Sequence, residues 1–211
     1  MVKNLNELLE ISSARHKHVC PRQVLGVRMG MLAAKLLSLP LPQTNKRLLT
    51  LVETDGCFAD GIAVSTGCEL GHRTLRLIDF GKVAATFIDT AEERAIRIAA
   101  HPDSRSRATA YYESAEKSRW HGYLHAYQIM PDSALFVAQP VHLQFSLDML
   151  ISKPTHRVVC SACGEEIINQ REVIIEDQVL CRGCSGQAYY TWSDQVFSDT
   201  LPAAVIGEVI S

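Results

Sequence analysis

Four cysteines in the C-terminal part of the chain constrain the fold of this sequence most strongly. They form two close pairs, Cys160 with Cys163 and Cys181 with Cys184, in the pattern C-x2-C-x17-C-x2-C. Two such pairs supply four thiolates, which is a ligand set that tetrahedral Zn²⁺ takes in structural sites. A segment this short cannot fill an apolar core, so a metal is needed to stabilise it. The spacing predicts a structural zinc ion in a small zinc-ribbon-like domain.

The charge of this segment argues against binding to nucleic acid. Between His156 and Gly186 there are three arginines and five carboxylates, which gives 3 − 5 = −2, and the whole chain of 211 residues also has a net charge of −2. Binding to phosphates requires clustered positive charge. We therefore expect no nucleic-acid partner and favour docking to a protein or packing within the chain. Tight, salt-sensitive binding to DNA would support the remaining alternative, a nucleic-acid-binding ribbon.

The apolar stretches and the cysteine count indicate the compartment. No run of 18 apolar residues is present, and the first 20 residues have charged side chains but no long apolar segment. We therefore expect neither a membrane span nor a secretory signal. The chain has seven cysteines, an odd number that argues against a closed disulfide framework. We predict a cytoplasmic protein with reduced thiols that bind metal or take part in chemistry.

Capping residues and periodicity predict the elements before the cysteine pairs. Asn4 and Glu7 predict a capped helix over residues 4–14. Pro21 suits the first position of a helix that continues to about Ser38, with Cys20 as its N-cap. We further predict strands at 48–53, 134–138 and 141–145, a hairpin of 75–80 with 83–88, helices at 59–65, 90–100, 104–120 and 123–130, and a hairpin within 166–175.

Changes in composition predict the domain boundaries. The core domain should cover residues 1–147, and a linker that includes Pro154 should cover residues 148–157. The zinc domain should cover residues 158–190, followed by a mildly apolar C-terminal tail at 191–211.

A second group of thiols and imidazoles lies in the N-terminal half of the sequence. His16, His18 and Cys20 precede the helix that starts at Pro21, and an extended strand would place both histidines on one face. A glycine-rich loop at 54–71 contributes Cys57, Asp60 and Cys68, with His72 just beyond it. If the loop folds onto the helix start, these groups could form a metal pocket. The alternative from spacing alone is that they are buried apolar cysteines and surface histidines.

The same motifs resemble the E-subunit family of formylmethanofuran dehydrogenase, over about residues 10–145. That family has an H-G-H-x-C-P-G segment, a D-G-C-x-x-D-G-I loop, a T-G-C-T-x-G segment and a D-x-G-K sequence after a strand. The matching positions are His16, His18, Cys20, Pro21, Asp55, Gly56, Cys57, Asp60, Gly61, Thr66, Gly67, Cys68, Gly71, Asp79, Gly81 and Lys82. The resemblance implies an α+β core with helices packed on a mixed or antiparallel sheet.

The resemblance also implies that the core group is a metal-binding pocket. The expected ligands of this second metal are His16, His18, Cys20, Cys57 and Cys68. If the pocket is catalytic, we expect Cys57 or Cys20 to act as a thiolate and Asp60 to accept a proton. Three positions depart from the family pattern, because Lys17 and Arg22 stand in place of glycine and Glu69 stands in place of threonine.

Two functional hypotheses follow. The first is a metal-binding protein of the E-subunit type, with a His/Cys/Asp pocket in its core and a structural zinc domain, acting within a redox or one-carbon enzyme. The second is a non-catalytic accessory protein whose zinc domain docks a partner protein, which the Lys17 and Arg22 departures favour. We expect a homodimer and a protein partner in a redox complex.

The remaining histidines and basic residues that could mark a site are interpreted as structural or solvent-exposed groups. His121 and His125 have the i, i+4 spacing of a helical metal site, but Gly122 between them weakens a helix, and we expect surface or core-edge histidines. Arg105, Arg107, Lys117 and Arg119 are expected to form a solvated face.

Overall fold

The computed structural model describes residues 3–16, 18–112, 118–151 and 155–191. The chain divides into two compact units, residues 1–145 and 146–211. The first unit combines helices with a mixed sheet, which confirms the predicted α+β class. None of the helices in the described ranges is long and apolar enough to cross a membrane.

The helix starts follow the capping residues in the sequence. The main chain of Asn4 donates to the Glu7 carboxylate at 2.7 Å, and Glu7 N–H donates to the Asn4 side chain at 3.0 Å. Cys20 caps the second helix, as predicted, and forms a capping box with Gln23. The helices of the first unit are α1 (Leu5–His16), α2 (Pro21–Leu37), α3 (Cys57–Thr66), α4 (Ser104–Ala108), α5 (Arg119–Ile129) and α6 (Asp132–Leu135).

The extended strand that would place His16 and His18 on one face does not include His16. Helix α1 continues to His16, because Ala14 and Arg15 are good helix formers that extend the helix beyond the predicted end at residue 14. His16 and His18 therefore do not alternate along a strand.

The described strands of the first unit form a five-stranded sheet in the order β2-β1-β3-β4-β5. Strands β1 and β2 are parallel, and the other neighbours are antiparallel. The central strand β3 is buried along its whole length. The strands are β1 (Leu48–Val52), β2 (Leu75–Leu77), β3 (Ala84–Asp89), β4 (Arg94–Ala100) and β5 (Phe136–Pro140).

The predicted hairpin of residues 75–80 with 83–88 is wrong. Strands β2 and β3 both pair with β1, one on each side, rather than with each other. The segment between them crosses the end of β1, where the N–H groups of Phe80 and Lys82 donate to the Glu53 carbonyl at 2.9 and 3.1 Å. A glycine–lysine pair between two apolar runs therefore marks a crossover here, not a tight turn.

The predicted helix at 90–100 is also wrong. That helix was predicted from a capping-box pattern, T-A-E-E at residues 90–93, which instead forms the turn between β3 and β4, where Glu93 has a φ of 51°. The period-two alternation of Ile96 and Ile98, both buried, is the signal for a strand, and pairing on both edges of β4 outweighs the local capping pattern.

The segment from 104 to 145 is more broken than the sequence predicts. Helix α4 ends at Ala108 and a single 3-10 turn follows it, while residues 113–117 of the predicted long helix lie outside the described residues. Helix α5 starts earlier than predicted, with Ser118 as its N-cap. Residues 136–140 form the closing strand, and residues 141–145 form no strand.

Two glycines allow α2 and α3 to pack backbone against backbone. A Cβ on Gly61 would lie 2.5 Å from the carbonyl oxygen of Gln23 and 2.9 Å from the nitrogen of Val27. A Cβ on Gly26 would in turn overlap the carbonyl oxygen of Phe58. No side chain fits at either position. This contact lies near the first turns of both helices and fixes where Cys20 and Cys57 lie.

Arg28 links α2 to the end of α5. Its guanidinium donates to the carbonyl oxygens of Tyr127 and Met130 at 2.9 and 2.8 Å, and to the Asp132 carboxylate at 2.6 Å. The side chain of Arg28 is only 12% exposed. One cation thus satisfies free carbonyls at the C-terminal end of α5, where positive charge is favoured.

The second unit contains two short antiparallel hairpins. The first joins β6 (Arg157–Val159) to β7 (Glu166–Ile168), and the second joins β8 (Val173–Ile175) to β9 (Gln178–Leu180). The predicted hairpin within residues 166–175 is wrong, because β7 and β8 are not paired. Glu176 and Asp177 instead both adopt positive φ, at 48° and 65°, which makes the tight turn between β8 and β9.

Candidate functional site: a four-cysteine metal centre and a core thiol pair

The four C-terminal cysteines converge in the second unit. Their sulfur atoms all lie within 4.8 Å of one another, and within the described ranges no other cluster of His, Cys, Asp or Glu meets this condition with three or more members. A tetrahedral Zn²⁺ with bonds of about 2.3 Å places its sulfurs about 3.8 Å apart, so the spacing suits such an ion. These cysteines form a site that can hold a metal.

The turns at the two cysteine pairs aim backbone N–H groups at sulfur. The N–H of Cys181 donates to the Cys160 sulfur at 3.2 Å, and the N–H of Cys184 donates to the Cys181 sulfur at 3.3 Å. Gly164, with a φ of 75°, lets the first turn close, and its N–H donates to the Cys160 carbonyl at 2.9 Å. Such N–H groups stabilise thiolate charge, so the backbone favours metal-binding sulfurs.

The electrostatics of the cluster also favour a cation. Burial opposes ionisation of the Cys160 thiol, but N–H donors from Cys163, Cys181 and Ala162 lower its pKa to about 6. The hydrogen bond with Cys181, together with burial and the other sulfurs, raises the pKa of Cys184 to about 12. Four adjacent sulfurs cannot all carry negative charge unless a cation compensates them.

The apolar core around this cluster is very small. Besides Cys160, its buried members are Ile167 and Leu180. The hydrogen bond from Ser161 N–H to the Val179 carbonyl, at 2.7 Å, connects the two hairpins. So little buried surface cannot stabilise the fold, and bound metal is the natural source of the missing free energy.

The second feature is a thiol pair in the first unit. Cys20 precedes α2 and Cys57 begins α3, and the two thiols lie close enough to interact with each other. The contact exists because the Gly26 and Gly61 backbones allow the two helices to approach. Both sulfurs therefore lie at helix N-termini, where the aligned peptide dipoles favour negative charge.

In the absence of metal, Cys57 holds its proton. Burial is the largest factor that raises the pKa of the Cys57 thiol, followed by its hydrogen bond and charge interaction with Cys20. The nearby Asp60 carboxylate adds to the shift in the same direction. Two thiols and a carboxylate thus share a small volume in which one divalent cation would favour thiolates.

Comparison with known proteins identifies the family. The family model described as "FmdE, Molybdenum formylmethanofuran dehydrogenase operon" matches residues 15–137. The chain belongs to the FmdE family. The match contains both cysteines of the core thiol pair and ends before the four-cysteine centre.

Two known proteins are similar to this FmdE-family chain. A protein of Archaeoglobus fulgidus, called a probable S-adenosyl-L-methionine-binding protein, is 34% identical over 97 residues, a match that covers 44% of this chain and only 26% of that protein. An FmdE-like protein of the tungsten formylmethanofuran dehydrogenase type, from Syntrophus aciditrophicus, has a similar fold, with a TM-score of 0.56 and 19% identity over 90% of this chain and 100% of that one.

The structure brings together only some of the residues predicted for the core site of this FmdE-family chain. Cys20 and Cys57 meet, and Asp60 lies within electrostatic reach of Cys57 in the first turn of α3. His18 is exposed on the segment between α1 and α2. His16 is the last residue of α1, and its side chain lies outside the described part of the chain.

Cys68, predicted as a further ligand, is engaged elsewhere. Its thiol is 1% exposed, donates to the Leu48 carbonyl at 3.5 Å and accepts from the Thr50 hydroxyl at 3.4 Å. Burial raises the pKa of this thiol, and the nearby threonine hydroxyls offset only part of the shift. Cys68 thus behaves as a neutral, buried thiol that packs beside β1, and we leave it out of the core ligand set.

The histidine pair of α5 forms no metal cluster within the described residues. The ring of His121 lies 2.9 Å from the Ser118 hydroxyl and packs edge-on against Trp120, and His125 is exposed. Gly122 between them has a packing role, because a Cβ there would lie 2.6 Å from the Tyr112 ring.

A cavity beside the thiol pair was not predicted from the sequence. It has a volume of about 490 Å³, and Cys20, the start of α2 and one face of α5 contribute to its lining. The α5 residues are Trp120, Tyr123 and Tyr127, whose i, i+3, i+7 spacing places three rings on one helix face. That aromatic spacing was a signal in the sequence, but only the histidines of this segment were considered there, and they were expected to be surface or core-edge groups.

Proposed function

We propose that this FmdE-family protein binds two metal ions per chain, a structural zinc at the four-cysteine centre and a reactive metal at the core thiol pair. The core site would serve a redox or one-carbon reaction. The observation that carries this proposal is the proximity of Cys20 and Cys57 at two helix N-termini, with Asp60 close by. Four thiolates close the coordination of a zinc ion, so we assign the first metal a structural role only.

The donor chemistry of the core suits a borderline metal such as Zn²⁺. Thiolates from Cys20 and Cys57 would be its principal ligands, with His18 and His16 as the nearest imidazoles along the chain. Fewer than four fixed protein ligands would leave a position for a substrate, and a metal there would supply Lewis-acid polarisation.

The chain's own groups have distinct roles in this proposal. Cys57 is the candidate nucleophile, because it lies at a helix start and is only partly buried. Without bound metal, its raised pKa keeps the thiol protonated at neutral pH, so a base is needed before Cys57 can bind metal or attack as a thiolate. Asp60, in the same helical turn, is the group that we expect to accept that proton.

Metal analysis of the purified protein tests this proposal. We expect about two equivalents of metal per chain. Cys57→Ser should remove the core equivalent alone, and Cys160→Ser should remove only the C-terminal equivalent. Cys68→Ser is the matched control, since this buried cysteine should not affect metal content. A single equivalent that disappears with Cys160→Ser would exclude the core metal site.

A second candidate function is protein docking by the C-terminal unit. Several apolar side chains there are exposed, including Val159 at 61%, Ile174 at 60% and Tyr189 at 97%. Exposed apolar groups on a metal-stabilised module suit a protein partner, which could be a component of a redox complex or a second copy of the chain. Sedimentation analysis of the full chain tests the homodimer, and Ile174→Ser should weaken any association that this surface mediates.

A further inference from the structure

The cavity beside Cys20 combines aromatic rings with positive charge. The rings of Tyr123 and Tyr127 are stacked, with centroids 5.8 Å apart and an angle of 12° between their planes. Tyr127 is 3% exposed, so the inner part of this stack is fixed by packing. Trp120 also lines the cavity and is 42% exposed. The rings offer a flat surface on which a planar ligand can stack.

The polar lining of the cavity is cationic. Arg22 from the first turn of α2 and Arg105 from α4 both line it, and no Asp or Glu is among its described lining residues. Arg105 also interacts electrostatically with Tyr127, which places the cation beside the aromatic stack. The N-terminus of α2 adds positive potential at the same place. Together these groups favour an anionic ligand.

His101 adds an oriented hydrogen-bonding group to the lining. Its Nδ1 accepts the N–H of Asp103 at 3.1 Å, so the neutral ring carries its proton on Nε2. A donor at Nε2 complements an acceptor atom of a ligand. The side chain is 20% exposed and is therefore accessible to a ligand.

We propose that this cavity binds a small planar heteroaromatic anion of the size and chemistry of a mononucleotide. The ring would stack on the surface formed by Trp120 and Tyr123, and the anionic group would lie at Arg22 and Arg105. A volume of about 490 Å³ lies within the range of small-molecule sites and suits a ligand of this size. Cys20 lines the cavity and contacts Cys57, so the bound ligand would lie beside the core thiol pair.

The proposed ligand class is argued from this cavity alone. The further idea that such a ligand is a substrate rests on the proposed core metal site. Calorimetric titration with AMP tests the ligand class, with adenosine and ribose 5-phosphate as probes that lack the anion or the ring. We expect AMP to bind about ten-fold more tightly than either probe, since each part contributes to affinity. Equal binding of adenosine and AMP would overturn the anion assignment, and failure of both AMP and flavin mononucleotide to bind at millimolar concentration would overturn the proposal.

Matched variants locate the site. Arg105→Ala should weaken AMP binding about ten-fold. Arg107→Ala is the control, because Arg107 lies on the same helix, pairs with Asp103 at 3.5 Å and does not line the cavity. Trp120→Leu should weaken AMP and adenosine alike, whereas Phe80→Leu, at an exposed ring outside the cavity, should change neither. If Arg105→Ala and Arg107→Ala weaken AMP binding equally, the assignment of the binding site to this cavity is overturned.

Metal content measured on the same samples separates this inference from the proposed function. AMP binding with only one metal equivalent would exclude the core metal site and retain the cavity. Two equivalents without nucleotide binding would exclude the ligand class and retain the metal site. Cys57→Ser, whose side chain does not line the cavity, should lose the core metal and still bind AMP.

Discussion

The two sulfur sites differ in what brings their thiols together. The four C-terminal cysteines lie in one short segment, and tight turns and backbone N–H groups direct their sulfurs to a common point. Cys20 and Cys57 lie on different helices and meet because two glycine-containing surfaces pack closely. We therefore expect the first site to depend on a metal for the stability of its surroundings, whereas the second is supported by the large core of the first unit.

Removal of metal should have the largest effect on folding, and only the C-terminal unit should unfold. Structural zinc sites contribute on the order of 10 kcal/mol of binding free energy, and the small apolar core here cannot replace it. A strong chelator should therefore abolish amide hydrogen-exchange protection in residues 157–187 and leave strands β1 and β3 protected. Cys160→Ser should have the same effect, whereas Ser161→Ala, which keeps the backbone donor to Val179, should not. Protection that persists after chelation would contradict the metal-dependent fold.

Gly61→Ala should have the next largest effect on stability, because it disturbs the helix contact that positions the core thiol pair. In an open helix this change stabilises by about 1 kcal/mol, but here the Cβ would lie 2.5 Å from the Gln23 carbonyl oxygen. We expect a net loss of about 2 kcal/mol in the free energy of unfolding, measured with urea. Gly71→Ala is the control, since a Cβ there meets nothing within 4 Å. A more stable Gly61→Ala protein would show that the helices can separate easily.

The acid sensitivity of the first unit should come from an ion pair rather than from its thiols. Arg47 donates to the Asp89 carboxylate at 2.9 and 2.8 Å, and this hydrogen bonding holds the pKa of Asp89 below its usual range. The pair therefore stabilises the fold above the unfolded pKa, about 4, and this stability is lost as the pH falls through the lower folded value.

Asp89→Asn tests this ion pair. We expect a loss on the order of 1 kcal/mol at pH 7, because Arg47 is 39% exposed and water screens the interaction. The variant should also lose less stability than the wild type between pH 4 and pH 2, as followed by urea unfolding. Glu92→Gln is the control, since Glu92 lies 3.9 Å from Arg47 and is 61% exposed. An unchanged pH profile in Asp89→Asn would assign the acid sensitivity to other groups.

The smallest expected effect concerns the reactivity of Cys57. Burial and Cys20 raise the pKa of its thiol, so in the metal-free protein it should react with iodoacetamide at pH 8 several-fold more slowly than an unperturbed cysteine. Cys20→Ala removes the thiol contact and should accelerate the reaction, as measured by peptide mass spectrometry. If the rate at Cys57 is the same with and without Cys20, the two thiols are not coupled.

Sequence signals that act within a few residues predicted the structure best. The cap at Asn4, the proline-started helix behind Cys20 and the close spacing within each C-terminal cysteine pair depend on neighbouring residues, and they appear in the structure as expected. The sequence failed where pairing between distant strands decides the outcome. Residues 90–100 contain both a helix-like start and a strand-like alternation, and only the neighbouring strands β3 and β5 select between them.

In the candidate site, too, the sequence predicted some residues correctly and missed what depends on three-dimensional packing. Resemblance to the family motifs selected Cys20 and Cys57, which meet, but also Cys68, whose thiol is engaged with Thr50. The sequence contained the aromatic spacing of α5 but not its position beside Cys20 in three dimensions. Which residues line a common cavity depends on the packing of α2, α4 and α5, and no local pattern encodes it.

The backbone contact at Gly26 and Gly61 has a consequence for how this protein could diversify. Because main-chain atoms set the approach of α2 and α3, the position of the thiol pair does not depend on the size of the surrounding side chains. Residues that line the adjacent cavity could therefore be exchanged over evolutionary time, or randomised in a library, without moving the thiols. In such a library the two glycines would be kept constant, and the variants would differ in the ligand that they prefer.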